Sequence, residues 1–205
     1  MILTPRLKLE RPLNATAVHL CIDMQALIST EGPWPTRWLQ PTLSPVVAMA
    51  ERFAPWTIFT RFIPPQESGD LPGAWGAFYQ RWHNVTRDQI DPELLRLVEP
   101  LGGLVPPARV FDKTTYSAFV DGRLHRHLQG RQIDTLIVSG AETEVCVLAT
   151  VLAAVDLGYR VILVMDAICS SSDRGHDALL SIMSTRFHQQ IELATTEIIT
   201  NVWWS

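Results

Sequence analysis

The sequence predicts an α/β fold in which helices cover both faces of a mostly parallel central sheet, a three-layer α/β/α arrangement. Short apolar runs typical of buried strands alternate with segments of helical periodicity about ten to fifteen residues long. All fourteen prolines lie at or before Pro107, so the second half of the chain can form regular elements without interruption. The length fits one domain, residues 1–205, with a Pro- and Trp-rich excursion at about 64–107.

The individual strands and helices follow from the spacing of apolar residues. Strands are predicted at 17–22, 56–60, 110–111, 135–138, 161–164 and 191–194. Helices are predicted at 45–53, 124–128, 143–157 and 173–187. The pattern over 143–157 is the strongest, because one face carries Val145, Leu148, Ala149, Leu152 and Val155.

The composition argues against several classes of partner. The net charge is −4 and the sequence contains no run of Lys or Arg, so it does not predict the basic surface that binds nucleic acid. The longest apolar stretch, residues 145–155, is too short to span a bilayer. Residues 1–9 carry two cations but lack the apolar run and cleavage site of a signal peptide. We therefore expect a cytoplasmic protein that acts on a small molecule, without nucleic-acid or membrane partners.

The three cysteines differ in their predicted surroundings. Their odd number and wide spacing, without a CxxC pair, argue against a disulfide framework or a zinc knuckle. Cys146 lies in the first turn of its predicted helix, where unpaired N–H groups and the helix dipole favour a thiolate. Cys21 lies within a predicted strand, and Cys169 lies in a polar loop where reactivity would not imply catalysis.

Polar residues follow the predicted strands at their carboxyl ends, where ligands bind in an open parallel sheet. They are Asp23, Asp112, Lys113, residues 140–146, Asp166 and Cys169. Taken singly, each fits a structural role as well: a carboxylate often caps a turn, a lysine lies at the surface, and a cysteine fills a core. Position alone therefore favours Cys146 without deciding its role.

Three segments of the sequence resemble the isochorismatase-like hydrolases, a family that includes nicotinamidases and N-carbamoyl amidohydrolases. They are IDMQ at 22–25, DKTTYSAF at 112–119 and SGAETEVCV at 139–147, and Asp166-Ala167 also agrees. The resemblance runs from about residue 17 to residue 196. It implies that Asp23 is a general base, that Lys113 assists it, and that Cys146 is the nucleophile.

The resemblance also implies a mechanism and an assembly. Cys146 would attack an amide-like carbonyl and form a thioester, which a water activated by Asp23 would hydrolyse. A non-proline cis peptide between Ala141 and Glu142 would aim the backbone N–H groups of Glu142 and Cys146 at the oxyanion. A homo-oligomer, a dimer or tetramer, is implied as well.

The sequence departs from nicotinamidases at their metal site. These proteins resemble one another in an Asp-x-His motif after the second strand, where this sequence reads TRFIP at 60–64. His125 and His127 are separated by one residue on a predicted helix, so their side chains point in different directions. His83 is the only histidine among aromatic and polar neighbours. We therefore expect no metal and no cofactor, and the nicotinamidase activity is disfavoured with the metal.

Aromatic and polar residues are expected around the mouth of the site. The candidates for substrate contact are Gln25, Trp34, Trp38, Arg61, Trp75, Trp82 and Tyr116, with Phe78 and Tyr79 nearby. The aromatic residues equally fit a lid packed on the sheet. Arg61 could hold a substrate carboxylate or form a structural ion pair, and the ion pair is slightly favoured. Trp203 and Trp204 are expected to pack on the core or in a subunit interface.

The leading hypothesis is a cysteine-dependent hydrolase that cleaves a C–N bond of a small amide, ureido or carbamoyl compound through a thioester. One alternative is a thiol redox or electrophile-sensing protein that uses Cys146 without hydrolysis, although no second cysteine is placed to resolve a sulfenate. Others are a silent oligomer kept for binding and an isochorismate-type vinyl ether hydrolase. Vinyl ether cleavage does not need the cysteine, so Cys146 favours C–N hydrolysis.

Overall fold

The structure is a computed structural model and describes residues 9–203. Within these residues six parallel strands form one sheet in the order β3-β2-β1-β4-β5-β6. The strands are β1 (Ala17–Ile22), β2 (Thr57–Phe62), β3 (Arg109–Lys113), β4 (Thr135–Ala141), β5 (Arg160–Cys169) and β6 (Ile191–Ala194). The predicted parallel α/β fold is therefore confirmed.

Helices cover both faces of the sheet. They are α1 (Leu39–Arg52), α2 (Ala74–Arg81), α3 (Arg123–Gly130), α4 (Leu148–Asp156), α5 (Asp173–Arg186) and α6 (Thr196–Val202). Buried residues of α1 and α6 belong to one core cluster, and those of α3, α4 and α5 belong to another on the opposite face. None of the helices in residues 9–203 has the length and apolar character needed to cross a membrane.

The central strand β1 shows why the core has two halves. Every residue of this strand is buried. Ala17 and Cys21 pack into the cluster under α1, whereas Val18, Leu20 and Ile22 pack into the cluster under α3 and α4. This alternation follows from the two-residue period of a strand, and a strand buried on both faces reads as one continuous apolar run.

Several element boundaries differ from the predictions. Helix α1 begins at Leu39 rather than Pro45, and Pro45 lies inside it at the cost of one backbone hydrogen bond. Strand β5 continues past Val164 to Cys169, and its pairing with β4 resumes after a register shift, from Val138 with Leu163 to Gly140 with Ile168. Cys169 therefore ends a buried strand instead of lying in a polar loop.

The C-terminal helix α6 was not among the predicted elements. It is a short segment rich in β-branched residues, which form helices poorly by intrinsic preference. The side chain of Thr195 accepts a hydrogen bond from Ile198 N and caps the first turn. Trp203 is fully buried, with its ring centroid 4.2 Å from that of Phe53, whereas Trp204 lies outside the described residues.

The chain between β2 and β3 forms short helices and a third apolar cluster. Besides α2 it contains 3₁₀ helices at His83–Val85, Pro92–Leu95 and Leu101–Leu104. The fully buried members of the cluster are Leu27, Tyr79 and Val85, and Trp34, Trp75, Phe78 and Trp82 pack against them. This cluster lies beside the carboxyl end of β2, because Phe62, the last residue of that strand, belongs to it.

A buried histidine lies in the middle of the sheet. His19 of β1 is fully buried, with Nδ1 3.2 Å from Thr57 Oγ1 and Nε2 2.7 Å from Ser139 Oγ. Its two ring nitrogens thus link β1 to both neighbouring strands. Burial lowers the pKa of His19 to about 3. The ring is therefore neutral in the folded protein at all but strongly acidic pH.

This histidine should make the protein sensitive to acid. The unfolded chain binds a proton at His19 below about pH 6.5, and the folded chain does so only near pH 3, so stability falls as the pH drops through that window. The expected slope is about 1.4 kcal/mol per pH unit from this residue alone. The unfolding free energy, measured by urea titration at several pH values between 7 and 4, should fall less steeply with decreasing pH in His19→Asn than in the unsubstituted protein. Substitution of the exposed His188 by Asn should leave this pH dependence unchanged. An equal pH dependence of the unfolding free energy in the two variants would contradict its assignment to His19.

Candidate active site

The predicted catalytic residues meet at the carboxyl edge of the sheet, where the strand order changes direction between β1 and β4. Asp23 directly follows β1, Lys113 ends β3, and Cys146 lies in the turn after β4. A crevice forms at such a point because the connections from the two central strands leave in opposite directions. The fold thus brings together three residues that are far apart in the sequence.

The ammonium group of Lys113 links the other two residues. Its Nζ lies 2.6 Å from Asp23 Oδ2 and 3.4 Å from Cys146 Sγ, and it donates to the carbonyl oxygen of Thr115 at 3.0 Å. The side chains of Lys113 and Asp23 are each only 5% exposed. An ammonium has three protons to donate, so these contacts account for all of its hydrogen-bonding capacity.

Asp23 is held from its other side by β2. Thr60 Oγ1 donates to Asp23 Oδ1 at 2.6 Å, and the backbone N–H of Asp23 donates to Thr60 Oγ1 at 3.2 Å. Asp23 has a positive φ of 47°, a conformation that aspartate tolerates better than most residues. Thr60 was missed in the sequence analysis, although it closes the predicted second strand and so reaches the same edge of the sheet.

The protonation of this cluster differs from the prediction. Burial raises the pKa of the Cys146 thiol, the Asp23 carboxylate raises it further, and the Lys113 ammonium opposes them without outweighing them. Burial alone would lower the pKa of Lys113, but Asp23 and Cys146 hold it above its ordinary value. The resting site therefore contains a Lys113–Asp23 ion pair beside a protonated thiol.

The raised pKa of Cys146 runs against the prediction of a thiolate at the start of a helix. The positive end of a helix carries about half an elementary charge. At this site it competes with the full negative charge of Asp23 and with the cost of burying an ion. The sequence revealed the helix but not the depth at which Cys146 lies.

The turn that carries Cys146 is wider than an α-helix. Residues Thr143–Val147 form a π-helical turn, in which Val147 N donates to Glu142 O at 3.2 Å, and α4 begins only at Leu148. The predicted helix over 143–157 therefore has a different first turn. The core face predicted for this segment is also wrong. The buried residues are Thr143, Cys146, Val147, Thr150, Val151 and Ala154, whereas Val145, Leu148, Ala149, Leu152 and Val155 are only partly buried.

Contacts with β5 and α5 fix this turn in place. Glu144 Oε1 accepts a hydrogen bond from Ser170 Oγ at 2.8 Å, and Thr143 Oγ1 lies 2.9 Å from His176 Nδ1. Gly175 permits this approach, because a Cβ at that position would lie 2.3 Å from Glu144 Oε1. The position of Cys146 therefore depends on the second half of the sheet.

The chain enters the turn through a tightly packed glycine. Gly140 has a φ of +110°, and a Cβ at that position would lie 2.1 Å from the carbonyl oxygen of Ile22. The following peptide, Ala141–Glu142, is cis, at the place that the family resemblance implied. The side chain of Glu142 accepts hydrogen bonds from Thr36 Oγ1 at 3.1 Å and Ser171 N at 2.9 Å.

A cavity of about 400 Å³ opens above Cys146. Of the residues predicted to contact substrate, Gln25, Trp34, Trp82 and Tyr116 line it, together with Asp23, Glu142 and Cys146. The remaining lining residues are Leu27, Ile28, Pro33, Pro35, Phe62, Phe78, Ala141, Val145 and Ser171. Phe62 could have been found from the sequence, because it lies at the carboxyl end of β2.

Three predicted pocket residues do not line this cavity. Trp38 is 47% exposed, and its Nε1 donates to Asp173 Oδ1 at 2.6 Å in a different surface depression. Arg61 forms the ion pair that the sequence analysis slightly favoured, donating to both oxygens of Asp112 at 2.7 and 2.8 Å. Trp75 packs against Tyr116, with ring centroids 4.7 Å apart, and so supports a residue that lines the cavity.

Gln25 lines the cavity but supports the backbone. Its Oε1 accepts from Phe62 N at 2.6 Å, and its Nε2 donates to Phe62 O at 3.2 Å and to Leu95 O at 3.0 Å. Both amide protons are therefore engaged by main-chain carbonyls. Gln25 joins the end of β2 to the segment before β3.

The residues do not fit a metal site of the nicotinamidase kind. In residues 9–203 no three side chains of His, Cys, Asp or Glu come together as a ligand group. After β2, where the motif would lie, Arg61 is paired with Asp112. Asp23 is already engaged by Lys113 and Thr60.

The protonated thiol gives an unusual prediction for alkylation. In Asp23→Asn the negative charge beside Cys146 is removed and Lys113 is free to pair with the thiolate, so the pKa of Cys146 should fall. Iodoacetamide should then modify Cys146 at pH 7 at least about tenfold faster than in the unsubstituted protein, although Asn cannot act as a base. In Lys113→Met the reaction should be slower. Peptide mapping measures the rates, and Glu51→Gln, at an exposed site on α1, provides the control. Slower alkylation in Asp23→Asn would show that Asp23 does not oppose ionisation.

Comparison with known proteins agrees with this geometry. An Isochorismatase domain model matches residues 17–197. The uncharacterized isochorismatase family protein PncA of Bacillus subtilis (strain 168) is 34% identical over 86 residues, which are 42% of this chain and 47% of that protein. The chain spans about half the length of the first curated relatives it matches.

Solved structures share the fold. A cysteine hydrolase from Pseudomonas syringae pv. phaseolicola 1448A has a TM-score of 0.81 and 24% identity, covering 98% of each chain. Nicotinamidase/pyrazinamidase PncA from Bacillus subtilis has a TM-score of 0.73 and 22% identity, over 87% of this chain and 98% of that one. N-carbamoylsarcosine amidase from Thermoplasma acidophilum has a TM-score of 0.71 and 17% identity, over 88% and 96%. Because the family model spans most of the sequence, the chain belongs to the isochorismatase family of hydrolases.

Proposed function

We propose that this protein is a cysteine-dependent hydrolase that cleaves a C–N bond of a small amide, ureido or carbamoyl compound through a thioester. The observation that carries the proposal is the buried Asp23–Lys113–Cys146 cluster beneath the 400 Å³ cavity. A thiol, a carboxylate and an ammonium in contact supply a nucleophile, a base and a stabilising charge. Relatives in fold include a nicotinamidase and an N-carbamoylsarcosine amidase, both of which act on C–N bonds.

The protonation of the resting site determines the first step. Because the Cys146 thiol is protonated, its proton passes to Asp23 as Sγ attacks the carbonyl carbon. Lys113 stabilises the negative charge that develops on sulfur, since its Nζ is 3.4 Å away. The backbone N–H groups of Glu142 and Cys146 are proposed to donate to the oxyanion, a contribution typically worth about a hundredfold or more in rate.

The second half of the reaction uses the same base. Protonated Asp23 gives its proton to the leaving nitrogen as the C–N bond breaks, which leaves an acyl group on Cys146 as a thioester. Asp23 then removes a proton from water as the water oxygen attacks the thioester carbonyl; the C–S bond breaks, the acid leaves, and Asp23 returns the proton to the Cys146 sulfur. No metal or other cofactor is required for these steps.

The alternative of a redox sensor is less well supported by the structure. A redox-sensor thiol is typically low in pKa and solvent-accessible, and it often lies next to a resolving cysteine. Burial raises the pKa of Cys146, and Cys21 and Cys169 belong to the core cluster on the opposite face of the sheet. All three cysteines are buried and free.

The proposal is tested by trapping the acyl-enzyme. A panel of primary amides, ureas and carbamoyl compounds is incubated with the protein, quenched in acid and analysed by intact mass and peptide mapping. The expected result is turnover with an acyl adduct on Cys146, and loss of turnover by at least about a thousandfold in Cys146→Ala, Asp23→Asn and Lys113→Met. Cys169→Ala should keep its turnover. Activity that survives in Cys146→Ala would refute covalent catalysis by this residue.

A further inference from the structure

The cavity above Cys146 lacks a positive charge. Among the described residues that line it, none is Lys, Arg or His, and two are acidic, Asp23 and Glu142. Lys113 lies close by, but its Nζ is already engaged by the Asp23 carboxylate at 2.6 Å, by Cys146 Sγ at 3.4 Å and by the Thr115 carbonyl oxygen at 3.0 Å. Arg61 is turned to Asp112. A carboxylate on a bound substrate would find no cation here to replace its lost hydration.

The opposite wall of the cavity is aromatic and well packed. The ring of Trp34 lies 6.0 Å from Phe62, 6.0 Å from Phe78 and 5.9 Å from Trp82, measured between centroids. Contacts at these distances, with steep angles between the rings, are the favourable arrangement for aromatic side chains. The wall thus presents a fixed apolar surface to whatever is attached to the scissile group.

Two of the polar side chains that line the cavity are already hydrogen-bonded, and the hydroxyl groups of Tyr116 and Ser171, which also line it, carry no positive charge. The Gln25 amide is bonded to the backbone at Phe62 and Leu95. Glu142 accepts from Thr36 and Ser171 N, and its negative charge borders the cavity. An anionic substrate would meet this charge in addition to that of Asp23.

We infer that the site accepts uncharged amides and ureas with an aromatic or bulky apolar substituent and excludes substrates that carry a carboxylate. This inference rests on the proposed function and narrows its substrate class. Ureido acids, such as N-carbamoyl amino acids, are thereby excluded, although they carry the same scissile bond as neutral ureas.

The test uses pairs of compounds that differ in one charge. They are 4-nitrobenzamide against 4-carboxybenzamide, and 2-phenylethylurea against N-carbamoylphenylalanine. The neutral member of each pair should have a kcat/KM at least about a hundredfold higher. Glu142→Gln keeps an acceptor for Thr36 and Ser171 but removes the negative charge. In this variant the ratio of kcat/KM for the neutral compound to kcat/KM for the carboxylate should decrease by about tenfold, whereas Glu51→Gln should leave this ratio unchanged.

Binding to the inactive variant separates this inference from the proposed function. Cys146→Ala is titrated calorimetrically with the same four compounds, and tighter binding of the neutral members is expected even if none is hydrolysed. Equal or tighter binding of the carboxylates, or no binding of either neutral compound, would overturn the inference. Cys146-dependent turnover of the carboxylates would overturn it as well, while leaving the proposed thioester chemistry intact. A lack of turnover with selective binding of the neutral compounds would support the inference and count against the proposed function alone.

Discussion

The arrangement of the site depends on the buried ammonium of Lys113. It lies at the end of β3, the edge strand of the sheet, and reaches across two strands to Asp23 and Cys146. Its position is set by parallel pairing of Phe62 with Lys113 and by the hydrogen bond from Ile63 N to Lys113 O at 2.8 Å. Removing one partner of a buried ion pair typically costs about 3–5 kcal/mol, because the other charge is left unpaired. The geometry of the nucleophile is therefore tied to the pairing of an edge strand.

The ion pair between Lys113 and Asp23 also explains why the Cys146 thiol is protonated before substrate binds. Asp23 and Lys113 neutralise each other, so the buried Cys146 side chain lies beside a pair that carries no net charge. An anion on sulfur is disfavoured until a carbonyl group is present to share the charge. In the proposed mechanism, nucleophilicity arises from proton transfer to Asp23 during attack, without a stored reactive thiolate.

Much of this fold and the central cluster could be predicted from the sequence, because both follow from strand positions. Asp23 and the turn with Cys146 follow buried apolar strands, Lys113 ends the short, partly buried strand β3, and parallel strands place such positions at one edge. The orientation of side chains could not be predicted. Arg61 and Phe62 are consecutive residues, and only the register of β2 decides that Phe62 reaches the cavity while Arg61 pairs with Asp112. The pKa of Cys146 depends on burial, which the sequence does not give.

The site is assembled from three parts of the chain that meet only in the finished sheet. Asp23 follows β1 and Lys113 ends β3, and both are proposed to act on the proton, whereas the turn with Cys146 is fixed by Ser170 and by residues of α5. The aromatic wall comes from a third source, the loop after β1 together with the short helices between β2 and β3. This separation has an evolutionary consequence. The wall can exchange one aromatic or aliphatic residue for another without disturbing the proton-transfer groups, so new substrate preferences can arise while the reaction itself is inherited unchanged.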